Sequence, residues 1–374
     1  MPDKTVHIIA FDIPVPVNYG GAIDIYYKLK SLKQEGIKIN LHCFEYDRKP
    51  SALLYEFCEN VYYYKRNISK TKLFNSKPYI VATRDSNDLM SLLLKDDYPI
   101  LFEGLHTTYF LGDKRLRERR KIVRTHNIEH DYYQSLASVE KDLFKRYYFM
   151  NEAGKLAKYE KILEHSDGIA AISKNDSAYL SSKYKNVQTV SAFHANETIS
   201  SKPGYGNFAL YHGSLEIGEN NEAALFLIKN IFADSKHHFI IAGNKPSKEL
   251  KTAIAGKSNI ELRTGITSED IYELISDAHI NILPTFQSTG IKLKLLAALF
   301  RGRHCLVNTP MIENTGLESL CICRDGVDEI KKEVDILFQT EFDASEIQKR
   351  EEILLNNGFS NGHNARTLIN MLFY

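Results

Sequence analysis

Two short apolar runs in the first half of the chain end in side chains able to handle protons. PILFEGLHTTYF places Glu103 and His106 at the exit of one run, and KIVRTHNIEHDYY places Arg124, His126 and Asn127 at the exit of the next. A neutral imidazole in such a place can take or give a proton near neutral pH, or hydrogen-bond a sugar hydroxyl. The stretch from His126 to His130 also spells H-x-x-E-H, a zinc pattern that needs both histidines on one helical face. His126 follows its strand directly, so the two rings need not converge, and no metal is expected.

Three further loops have the composition of anion sites. In FDIPVPVNYGGAIDIYYKL, Gly20 and Gly21 open a helix, which lets backbone approach a ligand and aims helix amides at an oxyanion. FALYHGSLEIGENNEAALFLI puts Gly213 and Ser214 after a strand and Asn220 and Asn221 at a helix start, where asparagine serves as an N-cap or helps to cradle a diphosphate. NILPTFQSTGIKLKLLAALF ends a strand at Pro284, passes Ser288, Thr289 and Gly290, and starts a helix near Ile291 that carries Lys292 and Lys294. Lysines in a first helical turn oppose the helix dipole unless an anion uses them, so this loop reads as a phosphate site.

The elements that must position these loops follow from hydrophobic patterning. Runs of Val, Ile, Leu and aromatic residues alternate with helical patterns from end to end, the mark of parallel sheets covered by helices. Strands are expected at VHIIAF, IKINLHC, NVYYY, PILFE, KIVRT, GIAAI and NVQTV, then at FALYH, HHFIIAG, NIELR, HINILP, HCLVN and SLCIC. The fold class is α/β, with two Rossmann-like, doubly wound domains. Their ligands would bind beyond the carboxyl ends of the strands, in a cleft between facing edges. Domain boundaries are expected at 1–195, a polar linker at 196–207, a second domain at 208–357, and a terminal helix at 358–374 that packs back on the first domain. The stretch from Asp131 to His165 reads as one long or broken helix.

Composition narrows the partners. Among 374 residues, 48 Lys and Arg against 47 Asp and Glu leave a net charge of +1, too little for general nucleic-acid binding. No apolar run approaches the ~20 residues of a membrane span, and the start of the chain does not resemble a secretory signal. A cytoplasmic protein is expected, with its five cysteines reduced. Seven basic residues crowd Lys114 to Arg124. A second basic segment, with Lys65, Arg66, Lys70 and Lys72 interleaved with Ile68, Leu73 and Phe74, is a candidate for weak contact with an anionic membrane at its inner face.

Together these motifs resemble the GT-B glycosyltransferases, and within them the family 4-like enzymes of bacterial surface-polysaccharide assembly. The likeness rests on NYGG, EGLH, RTHNIEHDYY, YHGSL followed by NN, IIAGN, and PTFQSTGIKLKLLAAL. It implies a retaining, metal-independent transfer of a sugar from a nucleotide-diphosphate donor to a glycan or lipid-linked acceptor. Under it, His106 would contact the sugar near the reacting carbon. Gly21, Gly213, Ser214, Asn221, Thr289, Gly290, Lys292 and Lys294 would hold the donor, with Ile266 beside the base. Glu103, Arg124, His126 and Asn127 would face the acceptor. Relatives carry an Arg and a Lys where this chain has Ser214 and Asn220-Asn221, and two Glu where it has Thr289 and Ala297. The alternative is a non-catalytic nucleotide-sugar binder or assembly subunit of the same fold. A sugar-nucleotide 2-epimerase ranks last, because no carboxylate set for it can be assigned.

Overall fold

The computed structural model describes residues 4–140, 142–286, 293–356 and 358–374. The chain divides into two compact units, Met1–His194 with Gly358–Tyr374, and Ala195–Asn357. Residues 196–207, read from the sequence as a linker, therefore fall within the second unit.

Among the described residues, the first unit holds a seven-stranded parallel sheet in the order β3-β2-β1-β4-β5-β6-β7. Its strands are β1 (Thr5–Ala10), β2 (Lys38–Glu45), β3 (Asn60–Lys65), β4 (Ile100–Glu103), β5 (Lys121–Arg124), β6 (Gly168–Ala171) and β7 (Val187–Thr189). The helices of this part are α1 (Gly20–Gln34), α2 (Tyr79–Ala82), α3 (Asn87–Leu93), α4 (Glu129–Val139), α5 (Leu143–Tyr159) and α6 (Lys174–Ser181). Strands buried on both faces read as unbroken apolar runs. Val6, Ile8 and Leu41 pack with Ile25 and Leu29 of α1, while Ile9, Phe102 and Val123 pack with Leu89 of α3 and Leu156 of α5.

The stretch read as one long or broken helix is broken, a hairpin of two. α4 stops at Val139, and the Asp142 carboxylate starts α5 by accepting from the Phe144 and Lys145 amides at 2.9 and 3.0 Å. An N-cap that satisfies two orphan amides is a strong local reason to restart rather than continue.

In the second unit, among the described residues, six parallel strands run β10-β9-β8-β11-β12-β13. They are β8 (Phe208–His212), β9 (His238–Ala242), β10 (Ile260–Arg263), β11 (Ile280–Ile282), β12 (His304–Val307) and β13 (Ile322–Cys323). Around them lie α7 (Gly218–Phe226), α8 (Lys248–Ile254), α9 (Ser268–Asp277), α10 (Leu293–Arg301), α11 (Thr309–Ile312), α12 (Val327–Leu337) and α13 (Ala344–Asn356). Both sheets reverse winding beside their first strand, at β1/β4 and β8/β11, and such switch points open a crevice at the strands' carboxyl ends.

The last helix, α14 (Asn361–Phe373), returns to the first unit and adds Leu368 and Leu372 to the core beside α1. Its asparagines hold the chain just before the second unit. Ser191 N donates to Asn364 Oδ1 at 3.2 Å, His194 N donates to Asn361 Oδ1 at 3.0 Å, and Asn361 Nδ2 donates to the His194 carbonyl at 2.7 Å.

Candidate functional site

At the β1/β4 switch point, α1 brings two charged side chains into the core. Lys28 Nζ lies 2.8 Å from Asp24 Oδ2 and 2.7 Å from both oxygens of Glu103. Arg124 at the end of β5 reaches Asp24 Oδ1 at 2.9 Å and the Ser191 carbonyl at 3.0 Å, and the Phe193 amide donates to the same Asp24 oxygen at 2.8 Å. His126 Nε2 completes the network on Glu103 Oε2 at 2.9 Å. Burial alone would raise both carboxyls. The Arg124 and Lys28 charges around Asp24, and the Lys28 charge with the His126 hydrogen bond around Glu103, outweigh it, and both acids are held below the usual carboxylate range.

This geometry corrects two sequence expectations. Glu103 and Arg124 are fully buried, Glu103 taken up by Lys28 and His126 and Arg124 by Asp24 and the Val190 and Ser191 carbonyls, so neither presents a face to an acceptor. His126 and Asn127 remain partly exposed. Asp24, Glu103 and His126 could offer ligand atoms within 4.8 Å of one another, and the Lys28 ammonium pairs with the two carboxylates among them. The H-x-x-E-H spelling does not converge either. His126 turns to Glu103, whereas His130 Nδ1 lies 3.3 Å from Glu160 and its Nε2 lies 3.4 Å from the Tyr179 hydroxyl.

His106 sits above this network, packed on Phe11, whose ring centroid is 5.1 Å away. The turn leading to it depends on Gly104 at φ +69°, where an added Cβ would fall 2.8 Å from His106 Nδ1. Positive φ suits glycine and few other residues. Burial, then the Arg84 and His126 charges, hold His106 well below its ordinary pKa, so it is neutral at pH 7. Its Nδ1 lies 3.7 Å from Glu129 Oε1, and both atoms are buried without a hydrogen-bond partner among the described residues. Burial, followed by the nearby Asp176 charge, pushes Glu129 up to about 8, so this carboxyl keeps its proton at pH 7. Arg84 pins the loop before α1 by donating to the Phe11 carbonyl at 2.7 and 3.2 Å. Gly21 fits tightly there, since a Cβ on it would stand 2.7 Å from the Phe11 ring.

In the second unit, the loops after β8, β9 and β10 are knit together. A Cβ on Gly243 would fall 1.9 Å from the Gly213 carbonyl, so the two loops meet backbone to backbone. Asn244 accepts from the Gly265 amide at 2.7 Å and donates to the Ile266 carbonyl at 3.3 Å. The expected capping role of Asn220 and Asn221 is corrected, because α7 begins earlier, at Gly218, with Ile217 as N-cap. Asn220 instead donates to the Ser214 carbonyl at 3.0 Å. Lys294, in the first turn of α10, reaches Asn220 Oδ1 at 2.5 Å and lies 3.4 Å from the Tyr211 hydroxyl. Burial, then the Lys294 charge, push His212 down to about 3. Ala297 is buried in the cluster against which Ile266 packs. Thr289, Gly290 and Lys292 lie outside the described residues.

Sequence reasoning missed Asp24, Lys28 and Glu129. A signal existed for the first two, since Asp24 and Lys28 immediately precede Ile25 and Leu29 on the buried stripe of α1. Of the basic residues assigned to a membrane contact, two are engaged internally: Lys72 pairs with Asp85, and Arg66 donates to Thr83 Oγ1 at 2.9 Å. Lys65 and Lys70 are exposed.

No family model matches the chain. An uncharacterized 44.6 kDa protein in the cps region of Klebsiella pneumoniae is 27% identical over 348 residues, covering 86% of this chain and 87% of that one. A variant of S. aureus TarM in complex with fondaparinux, α-GlcNAc-glycerol and UDP superposes with a TM-score of 0.67 at 11% identity, covering 99% of this chain and 100% of that one. The lipopolysaccharide outer core galactosyltransferase WaaB gives a TM-score of 0.63 at 12% identity, covering 98% of this chain and 100% of that one. The fold is that of the GT-B glycosyltransferases.

Proposed function

We propose that this protein is a glycosyltransferase that moves a hexose from a nucleotide-diphosphate donor to a glycan or lipid-linked acceptor in surface-polysaccharide assembly, on the cytoplasmic side. The observation that carries the reading is the Lys294 ammonium, 2.5 Å from Asn220 beside the Gly213-Ser214 loop. Two negative charges develop on a departing nucleoside diphosphate, and a preorganised cation beside backbone amides stabilises them as the bond breaks. Relatives carry basic residues on the loop where this chain has Ser214 and Asn220, and Lys294 brings positive charge to that loop from a different helix. The protein's own cations then serve the leaving group without a metal. His106, neutral and backed by Phe11, would hydrogen-bond the transferred sugar, and attack on the face the diphosphate leaves would retain the anomeric configuration. The ligands of TarM and the activity of WaaB point the same way by analogy.

Titration calorimetry with a panel of nucleotide sugars tests the donor, and NMR of the product tests the stereochemistry. No heat with any donor, or an inverted product, would overturn the respective claim. A second reading draws on Ala297, which is buried where relatives hold the donor ribose with a glutamate: the chain would be a nucleotide-sugar binder without transferase activity. Donor binding with neither transfer nor donor hydrolysis, acceptors being supplied, would favour it.

A further inference from the structure

Helix α5 wears its apolar side outward over its first two turns. Leu143 is 75% exposed, Phe144 88% and Tyr147 75%, with Met150 also exposed, while Glu152, Ala153 and Leu156 are the buried residues of the helix. Leu143, Tyr147 and Met150 are spaced i, i+4, i+7, which lines them along one face, with Phe144 at its edge. Val139 at the end of α4 is exposed as well, and so is Phe74 in the neighbouring turn, to which α5 is tied by Lys155 Nζ donating to the Leu73 carbonyl at 2.7 Å. A soluble surface rarely groups large apolar side chains in this way without using them.

Within the helix the exposed charges are basic, and the two acids just before it, Glu140 and Asp142, accept from backbone amides. Lys145, Arg146 and Lys158 are exposed. The single acid within the helix, Glu152, is buried and turned inward, accepting from the Tyr79 amide at 2.5 Å and pairing with Lys155 at 2.9 Å. The Asp142 carboxylate is taken up by the cap. No helix among the described residues is long and apolar enough to cross a membrane, so this face suits lying on a bilayer rather than spanning one. A second copy packed symmetrically on the same stripe would bring two like-charged sets toward each other. We propose that the exposed face of α5, Leu143, Phe144, Tyr147 and Met150 with Lys145 and Arg146, docks the protein on an anionic lipid bilayer. The apolar side chains enter the headgroup boundary while the basic ones meet lipid phosphates, two weak signals whose sum holds a protein at a membrane. The proposal does not depend on the transferase reading, and its test requires no turnover.

The chain contains no tryptophan, so Phe144→Trp gives a single reporter on the docking face. With vesicles of phosphatidylcholine plus phosphatidylglycerol, its emission should shift to the blue and the full chain should float. With phosphatidylcholine alone, both signals should fall sharply. Leu143→Ser with Phe144→Ser should cut partitioning by about tenfold or more, and Lys145→Glu with Arg146→Glu by at least roughly fivefold per residue changed. All four positions are exposed, so thermal unfolding should stay unchanged and separate lost docking from lost folding. The proposal is overturned if the natural chain fails to float with anionic vesicles, or if both double variants float as it does. It is equally overturned if sedimentation finds a dimer that Leu143→Ser with Phe144→Ser dissociates, which would give the face to a second copy.

Discussion

Lys28 Nζ stands 2.7 Å from both carboxylate oxygens of Glu103, with neither side chain exposed to water. An ammonium bridging Glu103 and Asp24 balances two buried negative charges that would otherwise face each other. Removing one partner of such a set leaves an uncompensated charge in the core. Lys28→Met should lower the unfolding free energy by about 3–5 kcal/mol in a urea titration. A chelator should leave the stability of the natural protein unchanged, since the ammonium pairs with both carboxylates.

Glu129 sets a pH dependence with a defined sign. Its carboxyl goes from an ordinary 4.5 to about 8 in the fold, so between those values the folded chain holds a proton that the unfolded chain has released. Its contribution is fully present below pH 4.5 and is lost as pH rises through 8, with a slope of at most about 1.4 kcal/mol per pH unit. His106 is depressed and works in the opposite sense, losing its contribution as pH falls below 6.5. The difference between the natural protein and Glu129→Gln isolates the glutamate. That difference should fall steadily from pH 4.5 to 8 in paired denaturant titrations, and a flat difference would refute the assignment.

Lys294→Ala should weaken donor binding by about 10- to 100-fold in calorimetry, the range for a lost hydrogen bond to a charged group. Lys294→Arg should recover part of it. Unchanged affinity would remove this residue from the donor site.

Gly104→Ala places a side chain at φ +69° and within 2.8 Å of His106 Nδ1. A stability loss of about 1–3 kcal/mol is expected, together with a displaced imidazole that NMR of the histidine ring would register. Gly36→Ala, at φ +80° with open space around its Cβ, is the control, because it shares the backbone strain and lacks the clash.

Strands such as VHIIAF, KIVRT and FALYH were readable because parallel strands covered on both faces leave a continuous apolar record in the sequence. The loops after them were readable for the same reason: each begins where the apolar run ends. The charge network was not. Asp24 and Lys28 sit beside the apolar stripe of α1, but the partners that pair with them, Glu103 and Arg124, lie roughly 75 to 100 residues further along. The same long-range pairing turned Glu103 and Arg124 from acceptor residues into core residues. The break between α4 and α5 rested on one residue, Asp142, whose capping role a helical rhythm does not display.

The last helix has a consequence for how the protein is made. Asn361 and Asn364 of α14 supply hydrogen bonds to His194 and Ser191, yet the ribosome delivers them only after every residue from Ala195 to Asn357 has emerged. The first unit is begun first and sealed last. A nascent chain therefore waits with a bare patch beside α1 until its final segment arrives, and a product cut short before Asn361 would keep that patch open.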